Sequence, residues 1–151
     1  MEPTFFVTSE TAQPKTVFQS AAAADLFMDV LLGYRHEQKY LLHEFALIPE
    51  RFHALLTPAP LVPLERVLHF IKAEFSFRLK ASFPVWQARF TNHRIRDEKD
   101  FGLHCEFIWR SPVQAGLARR PEDYLFSSAS GRYALDPVPD ADLGCLSGKT
   151  G

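Results

Sequence analysis

Arg51 and His53 are a pair whose residue types and spacing could do chemistry on an anion. They stand two positions apart in a segment that the sequence predicts to be a strand, so both side chains point to one face of the sheet. A guanidinium and an imidazole on one face could bind a phosphate without a metal. The alternative is that both residues simply flank the strand.

A second candidate surface is basic. Between Arg66 and Arg120 the chain has eleven Lys and Arg residues against five Asp and Glu, although its net charge is -1. Such an excess could neutralise a DNA backbone, and Trp86, Phe90 or Trp109 could stack on unpaired bases. The alternatives are a solubilising role for the charges and core positions for the rings. The six candidate DNA contacts, three on a predicted helix and three on the following strand, are Arg66, Lys72, Lys80, Arg89, Arg94 and Arg96.

The length and composition indicate one globular domain. The chain has 151 residues, of which 46% are hydrophobic and 23% are charged, enough to fill a single core and too apolar for a disordered chain. The pI of about 6.6 excludes a wholly basic nucleic-acid coat protein. With two cysteines, no signal-peptide core and no apolar run that could span a bilayer, a cytoplasmic location without membrane attachment is expected.

The hydrophobic periodicity predicts the elements that position these residues. Ser20 is the expected N-cap and Gly33 the expected end of the first helix, Pro63 precedes the second, and the third lies between a cap at Asp97 and a stop at Pro112. The predicted strands cover residues 4–8, 39–48, 51–57 and 86–95, and the predicted helices cover 21–32, 64–80 and 98–110.

This order of elements is typical of an α+β fold of the ferredoxin-like type, with an antiparallel sheet and helices packed on its faces. We expect residues 1–134 to form the domain. Residues 135–151 contain several prolines and glycines in quick succession, and we expect them to be a loosely ordered C-terminal tail.

Four motifs in order give a resemblance to a known family. Residues 45–56, Phe-Ala-Leu-Ile-Pro-Glu-Arg-Phe-His-Ala-Leu-Leu, resemble the Met-Pro-Asn-His-Val-His-Leu-Leu segment of the bacterial REP-associated tyrosine transposases. Residues 86–90 (Trp-Gln-Ala-Arg-Phe) and 95–100 (Ile-Arg-Asp-Glu-Lys-Asp) are similar to the family's Trp-Gln-x-Arg-Phe and Ile-Arg-Asp-x-x-Asp. Residues 111–117 and 121–128 are similar to its Asn-Pro-Val-x-Ala-Gly-Leu and Pro-x-x-Tyr-x-x-Ser-Ser. The resemblance spans about residues 4 to 133.

The resemblance implies a single-tyrosine nuclease that cuts and joins single-stranded DNA at hairpin ends. In the family, two histidines on a strand and a third polar ligand hold Mg or Mn, and a helix tyrosine attacks the phosphate. Here the two histidine positions are Arg51 and His53, the tyrosine position is Phe107, and the Asn expected as a further ligand is Ser111. Phenylalanine has no hydroxyl and arginine stays cationic, so the family's nucleophile and most of its metal ligands are missing.

The leading hypothesis is therefore a transposase-like protein that binds single-stranded or hairpin DNA, is catalytically inactive and needs no metal or other cofactor. The second hypothesis is a protein-interaction or regulatory domain that has also lost DNA binding. The third is an active nuclease with an unconventional site, such as a metal site rebuilt from His53 and His104. Tyr34, Tyr40, Tyr124 and Tyr133 lie outside the helix that should present the nucleophile.

Overall fold

The computed structural model describes residues 2–13 and 15–137 and confirms the predicted α+β class. Four antiparallel strands form one sheet in the order β2-β3-β1-β4. The strands are β1 (Phe5–Thr11), β2 (Tyr40–Ile48), β3 (Arg51–Pro58) and β4 (Trp86–Arg94), and the helices are α1 (Ala21–His36), α2 (Leu64–Leu79) and α3 (Glu98–Gln114).

The sheet carries a hydrophobic core on each face. Helices α1 and α2 cover one face, where Phe27, Phe52 and Phe75 are almost fully buried. Helix α3 covers the other face with Phe101 and Ile108, against the partly buried Phe6 of β1. The two faces therefore bury alternate residues of the same strands, which fixes the register of β1 between β3 and β4.

Helix α1 begins as predicted but ends later. The Ser20 hydroxyl accepts a hydrogen bond from the Ala23 amide at 3.2 Å, as an N-cap does. The prediction that Gly33 ends this helix was wrong, because α1 continues to His36. Tyr34 stacks on Phe70 of α2 with ring centroids 5.4 Å apart, and this packing outweighs the low helix propensity of the glycine.

Helix α3 also ends later than predicted. Its N-cap is Asp97, whose carboxylate accepts a hydrogen bond from the Asp100 amide at 2.8 Å. Pro112 was expected to stop the helix but lies inside it, four residues after Ile108. Proline has no N–H to donate to the Ile108 carbonyl. The Ser111 hydroxyl donates to that carbonyl instead, at 2.9 Å.

The segment after α3 returns to the free edge of β2. The Leu47 amide donates to the Phe126 carbonyl, and Ala46 forms an isolated bridge with Ser127. Further along, the Asp136 carboxylate accepts two hydrogen bonds from the Arg35 guanidinium and one from the Leu42 amide. The predicted tail from 135 onward falls mostly on residues 138–151, outside the described part of the chain, so the domain boundary stays a prediction.

No helix within the described ranges combines the length and the apolar character needed to cross a membrane.

Candidate functional site

A cavity of about 520 Å³ between β3 and α3 contains the four positions to which the sequence resemblance points. Arg51 and His53 come from β3, and Phe107 and Ser111 come from the facing side of α3, one helical turn apart. Two acids, Glu50 and Glu106, and one further base, Arg110, also line it. The structure thus brings together residues that are more than fifty positions apart in the sequence.

His53 lies at the bottom of this cavity and is only 5% exposed. Its Nδ1 shares a hydrogen bond with the Thr8 hydroxyl at 2.8 Å, and its ring contacts Phe6 and Phe107 at centroid distances of 5.8 and 5.2 Å. Burial, and secondly the charge of Arg51, lower the pKa of His53 to about 4. The imidazole is therefore neutral near pH 7 and adds no positive charge for a phosphate.

Arg51 is one of the two arginines that line the cavity, and two acids lie close to it. Its guanidinium lies 3.7 Å from the Glu50 carboxylate and 4.0 Å from that of Glu10. The two carboxylates offset its charge, so the predicted phosphate contact by Arg51 and His53 together would rest on a partly neutralised guanidinium and an uncharged ring.

Phe107, the residue that the sequence resemblance aligns with the family's tyrosine, presents a half-exposed ring, 52% accessible, to the cavity. The described tyrosines have other places in the fold. The hydroxyl of Tyr124 donates to the Leu47 carbonyl at 2.6 Å, and that of Tyr40 donates to the Leu31 carbonyl. Among the lining residues the one hydroxyl is that of Ser111, and it donates to the helix backbone.

These residues do not fit the divalent metal that the resemblance implies. A metal of this kind needs neutral imidazoles or anionic oxygens as ligands. Arg51 stays protonated, Nδ1 of His53 is engaged by Thr8, and the Ser111 hydroxyl faces its own helix. Nε2 of His53 is the single nitrogen donor left among the four positions, and one donor does not hold a metal ion.

The six basic candidates do not form one continuous strip. Lys72 lies in a groove between α2 and β4, where its ammonium donates to the Gln87 carbonyl at 2.9 Å. Arg94 lies opposite Phe5 and shares the sheet face of α1 and α2. Arg96 was predicted on the strand, but β4 ends at Arg94, and Arg96 lies in the connection to α3. Lys80 was predicted on the helix, but α2 ends at Leu79 and Lys80 is its C-cap in the left-handed conformation. The exposed members of the set are Arg66, Lys80, Arg89, Arg94 and Arg96.

The aromatic rings proposed for base stacking are largely packed. Trp86 contacts Phe18, Phe27 and other core rings from the groove beside Lys72. The Trp109 indole N–H donates to the Glu44 carboxylate at 2.8 Å. Phe90 is partly buried and lines the same groove as Trp86. The core alternative therefore describes Trp86 best, while the edge of Phe90 stays within reach of a ligand in the groove.

A second group of titratable residues was missed by the sequence analysis. His93 at the end of β4 lies beside Asp100 and His104 of α3, and one ligand atom from each lies within 4.8 Å of the others. The signal in the sequence was the spacing of Asp100 and His104, four residues apart on one predicted helix face. The Phe6 ring lies against His104 and against His53, with centroid distances of 4.8 and 5.8 Å. His53 and His104 thus each contact the Phe6 ring. Among the described residues, the group with metal-ligating atoms joins His104 to His93 and Asp100, and His53 is not part of it.

Two similar proteins of known name carry the same family name. No family model matches the chain. A REP-associated tyrosine transposase of Escherichia coli K12 is 26% identical over 116 residues, which are 73% of this chain and 70% of the relative. A Haemophilus influenzae protein with the same family name is 41% identical over 44 residues, 29% of this chain and 25% of that protein.

The fold has a relative of known structure as well. A REP-associated tyrosine transposase bound to a REP hairpin superposes with a TM-score of 0.75 at 22% identity, over 93% of this chain and 88% of that one. At this identity the superposition shows a shared fold.

Proposed function

We propose that the chain, which is similar to a REP-associated tyrosine transposase over 73% of its length, belongs to that family and binds hairpin or single-stranded DNA without cutting it. The observation that carries this proposal is the cavity between β3 and α3. It is lined by the residues that the sequence resemblance aligns with the family's nucleophile and ligands, among them Phe107 and Arg51. The relative of known structure holds a hairpin on the same fold, which supports the choice of DNA as the partner.

The loss of cutting follows from the chemistry of the cavity. Phosphotyrosine formation needs a hydroxyl oxygen that can attack phosphorus in line with the leaving group. Phe107 supplies none, and the Ser111 hydroxyl is hydrogen-bonded to the Ile108 carbonyl. The residues also lack the pair of imidazoles that would hold a divalent ion against the phosphate. Binding requires neither feature, because phosphate contacts from Lys and Arg act through charge alone.

The proposed DNA surface is the exposed edge formed by β4 and the groove beside it. Arg89 and Arg94 are exposed cations of this strand, and Lys72 contributes a third positive charge in the groove. Phe90 adds an apolar edge on which an unpaired base can stack. A single strand or the loop of a hairpin fits such a surface better than a regular duplex, because its bases are free to stack.

Electrophoretic mobility shifts with a hairpin and with a single strand, each at two salt concentrations, test the proposal. We expect binding that weakens steeply at the higher salt and is lost in the Arg89→Glu/Arg94→Glu variant. The matched control is Lys15→Glu/Arg132→Glu, which makes the same change in net charge at two exposed positions outside the basic set. We expect this control to keep most of the affinity.

Three outcomes would contradict the proposal. Absence of binding by the natural protein at low salt would favour the protein-interaction hypothesis. Equal losses in both double variants would mean that net charge alone governs binding and that β4 is not the surface. A covalent protein–DNA adduct on a denaturing gel, after incubation with hairpin DNA and magnesium or manganese, would show that the protein cuts DNA by an unconventional nucleophile.

A further inference from the structure

The group formed by His93, Asp100 and His104 has the donor atoms of a metal site. Nε2 of His93 lies 2.7 Å from Oδ2 of Asp100, and Nδ1 of His104 lies 3.3 Å from Oδ1 of the same carboxylate. Nδ1 of His104 also shares a hydrogen bond with the Asp100 backbone carbonyl at 2.9 Å, so an ion bound at Nδ1 would replace that bond. The two imidazole rings stack at 4.9 Å with an angle of 21° between their planes. Asp100 is buried, and both histidines are partly exposed. An ion could therefore enter from solvent and meet the carboxylate at the base of the group.

We propose that His93, Asp100 and His104 bind one divalent transition-metal ion. Zinc is the ion used for the expected geometry and for the test. Two imidazoles and one carboxylate are ligands of the type that zinc, nickel and cobalt prefer. Ligand atoms around a tetrahedral zinc ion at about 2.0–2.1 Å lie roughly 3.3 Å from one another. The separations of the two histidine nitrogens from the Asp100 carboxylate, 2.7 and 3.3 Å, are close to that value. Two imidazoles and one carboxylate oxygen leave the fourth position of a tetrahedral ion for water.

The Asp100 carboxylate is already held in place for this role. Its own amide donates to the Asp97 cap, and its Oδ2 accepts the Arg96 amide at 3.0 Å. Burial by itself would raise the pKa of Asp100, but these hydrogen bonds, with those from His93 and the charges of the two histidines, hold that pKa below its ordinary value. The carboxylate is therefore ionised and oriented before any ion arrives, as metal ligands in proteins usually are.

Arg96 is the group that competes with a metal. Its Nε lies 3.5 Å from Oδ2 of Asp100, but the side chain is 77% exposed and belongs to the loop between β4 and α3. A guanidinium on a flexible exposed arm moves into solvent at small cost, since exposed ion pairs contribute little free energy. If the three residues bind a metal, removal of the Arg96 side chain should leave the metal affinity unchanged or raise it. If they form only an ion-pair network, the same removal should weaken that network.

The proposed ion would lie outside the cavity of the family's catalytic positions. His93, Asp100 and His104 do not line that cavity, and the Phe6 ring lies between His104 and His53. The metal would thus link the last residues of β4 to the first two turns of α3. This inference stands on the three residues themselves and does not depend on DNA binding.

Calorimetric titration of zinc into the untagged, chelator-treated full chain tests the inference. We expect one equivalent of zinc to bind, and His93→Ala and His104→Ala each to weaken binding by at least about tenfold, the loss that even a residue orienting a metal ligand causes. His69→Ala is the matched control, because it removes an exposed histidine of α2, and should bind as the natural protein does. Arg96→Ala should bind zinc at least as tightly.

A melting experiment gives a second readout that does not need heats of binding. Zinc should raise the melting temperature of the natural protein and of His69→Ala, and should leave that of His93→Ala unchanged, because an ion that binds the folded state stabilises it. Zinc affinity that is the same in the natural protein, His93→Ala and His104→Ala would overturn the inference. So would weaker affinity in Arg96→Ala, or absence of binding by the natural protein.

Discussion

Protonation of His53 should destabilise the fold as the pH falls. Its ring is buried between Phe6 and Phe107, it shares a hydrogen bond with Thr8, and its pKa is lowered from 6.5 to about 4 by burial and then by the charge of Arg51. In the unfolded chain the same imidazole takes up a proton near its ordinary pKa. Between the two values the unfolded state binds more protons, so stability falls with falling pH.

The size of the effect follows from the difference between the two pKa values. Each unit corresponds to about 1.4 kcal/mol, so the stability lost amounts to about 2 kcal/mol at pH 5 and about 3 kcal/mol at pH 4 and below. Above about pH 7.5, one unit over the unfolded-state pKa, the imidazole is almost fully neutral in both states and contributes little pH dependence. Lowered carboxylate pKa values, such as that of Asp136, act below about pH 4 and so fall outside this window.

The perturbation that isolates this contribution is His53→Gln. Glutamine keeps a hydrogen-bonding group near Thr8 but does not titrate, while His43 and Glu44 stay the same in both proteins. Urea unfolding at several pH values between about 7 and 5 should show that the natural protein loses about 2 kcal/mol more than the variant. Parallel pH profiles, or an imidazole of His53 that titrates near 6.5 by NMR, would refute the reasoning.

Three further changes have expected outcomes that thermal or urea unfolding can check. Gly33→Ala should stabilise the protein by about 0.5–1 kcal/mol, because Gly33 is inside α1 and an added Cβ meets nothing within 4 Å; a lower melting temperature would contradict this. Phe107→Tyr should change stability by less than about 0.5 kcal/mol, since half of the ring is exposed, and should form no adduct with hairpin DNA; a larger loss would mean that the hydroxyl is buried. Asp136→Ala should destabilise by about 2–3 kcal/mol, because it removes the paired bonds from Arg35 and leaves the Leu42 amide unpaired; a negligible effect would show that this segment adds little to the fold.

The sequence predicted the fold because its helices and strands have strong periodic patterns and clear caps. It failed at the ends of α1 and α3. The stacking of Tyr34 on Phe70 joins two helices and leaves no local signal at Gly33, whereas at Pro112 the Ser111 hydroxyl bonds the Ile108 carbonyl that the proline cannot reach. From the sequence alone, Gly33 therefore predicts the end of α1, although the helix continues through it.

The sequence predicted part of the candidate site. Family motifs identified the positions of Arg51, His53 and Phe107 by number, and the structure places them in one cavity. The motifs did not predict that two carboxylates offset the charge of Arg51. The positions of Glu10 and Glu50 beside it depend on how the strands pair, which the motifs do not contain. The group around Asp100 was missed for the same reason, since His93 reaches it only through the sheet.

The position of β4 at the end of the sheet has a consequence for the solution behaviour of the protein. The opposite edge strand, β2, is covered by the chain around Ser127, whereas the described residues provide no strand beyond β4. An open edge of nine residues is a template on which a second copy can add its own strand and begin aggregation, and charged side chains such as Arg89 and Arg94 oppose this. Replacing both arginines with alanine would remove that protection and promote self-association. Glutamate at the same positions keeps the copies mutually repulsive, so a loss of DNA binding in that variant would not be a by-product of aggregation.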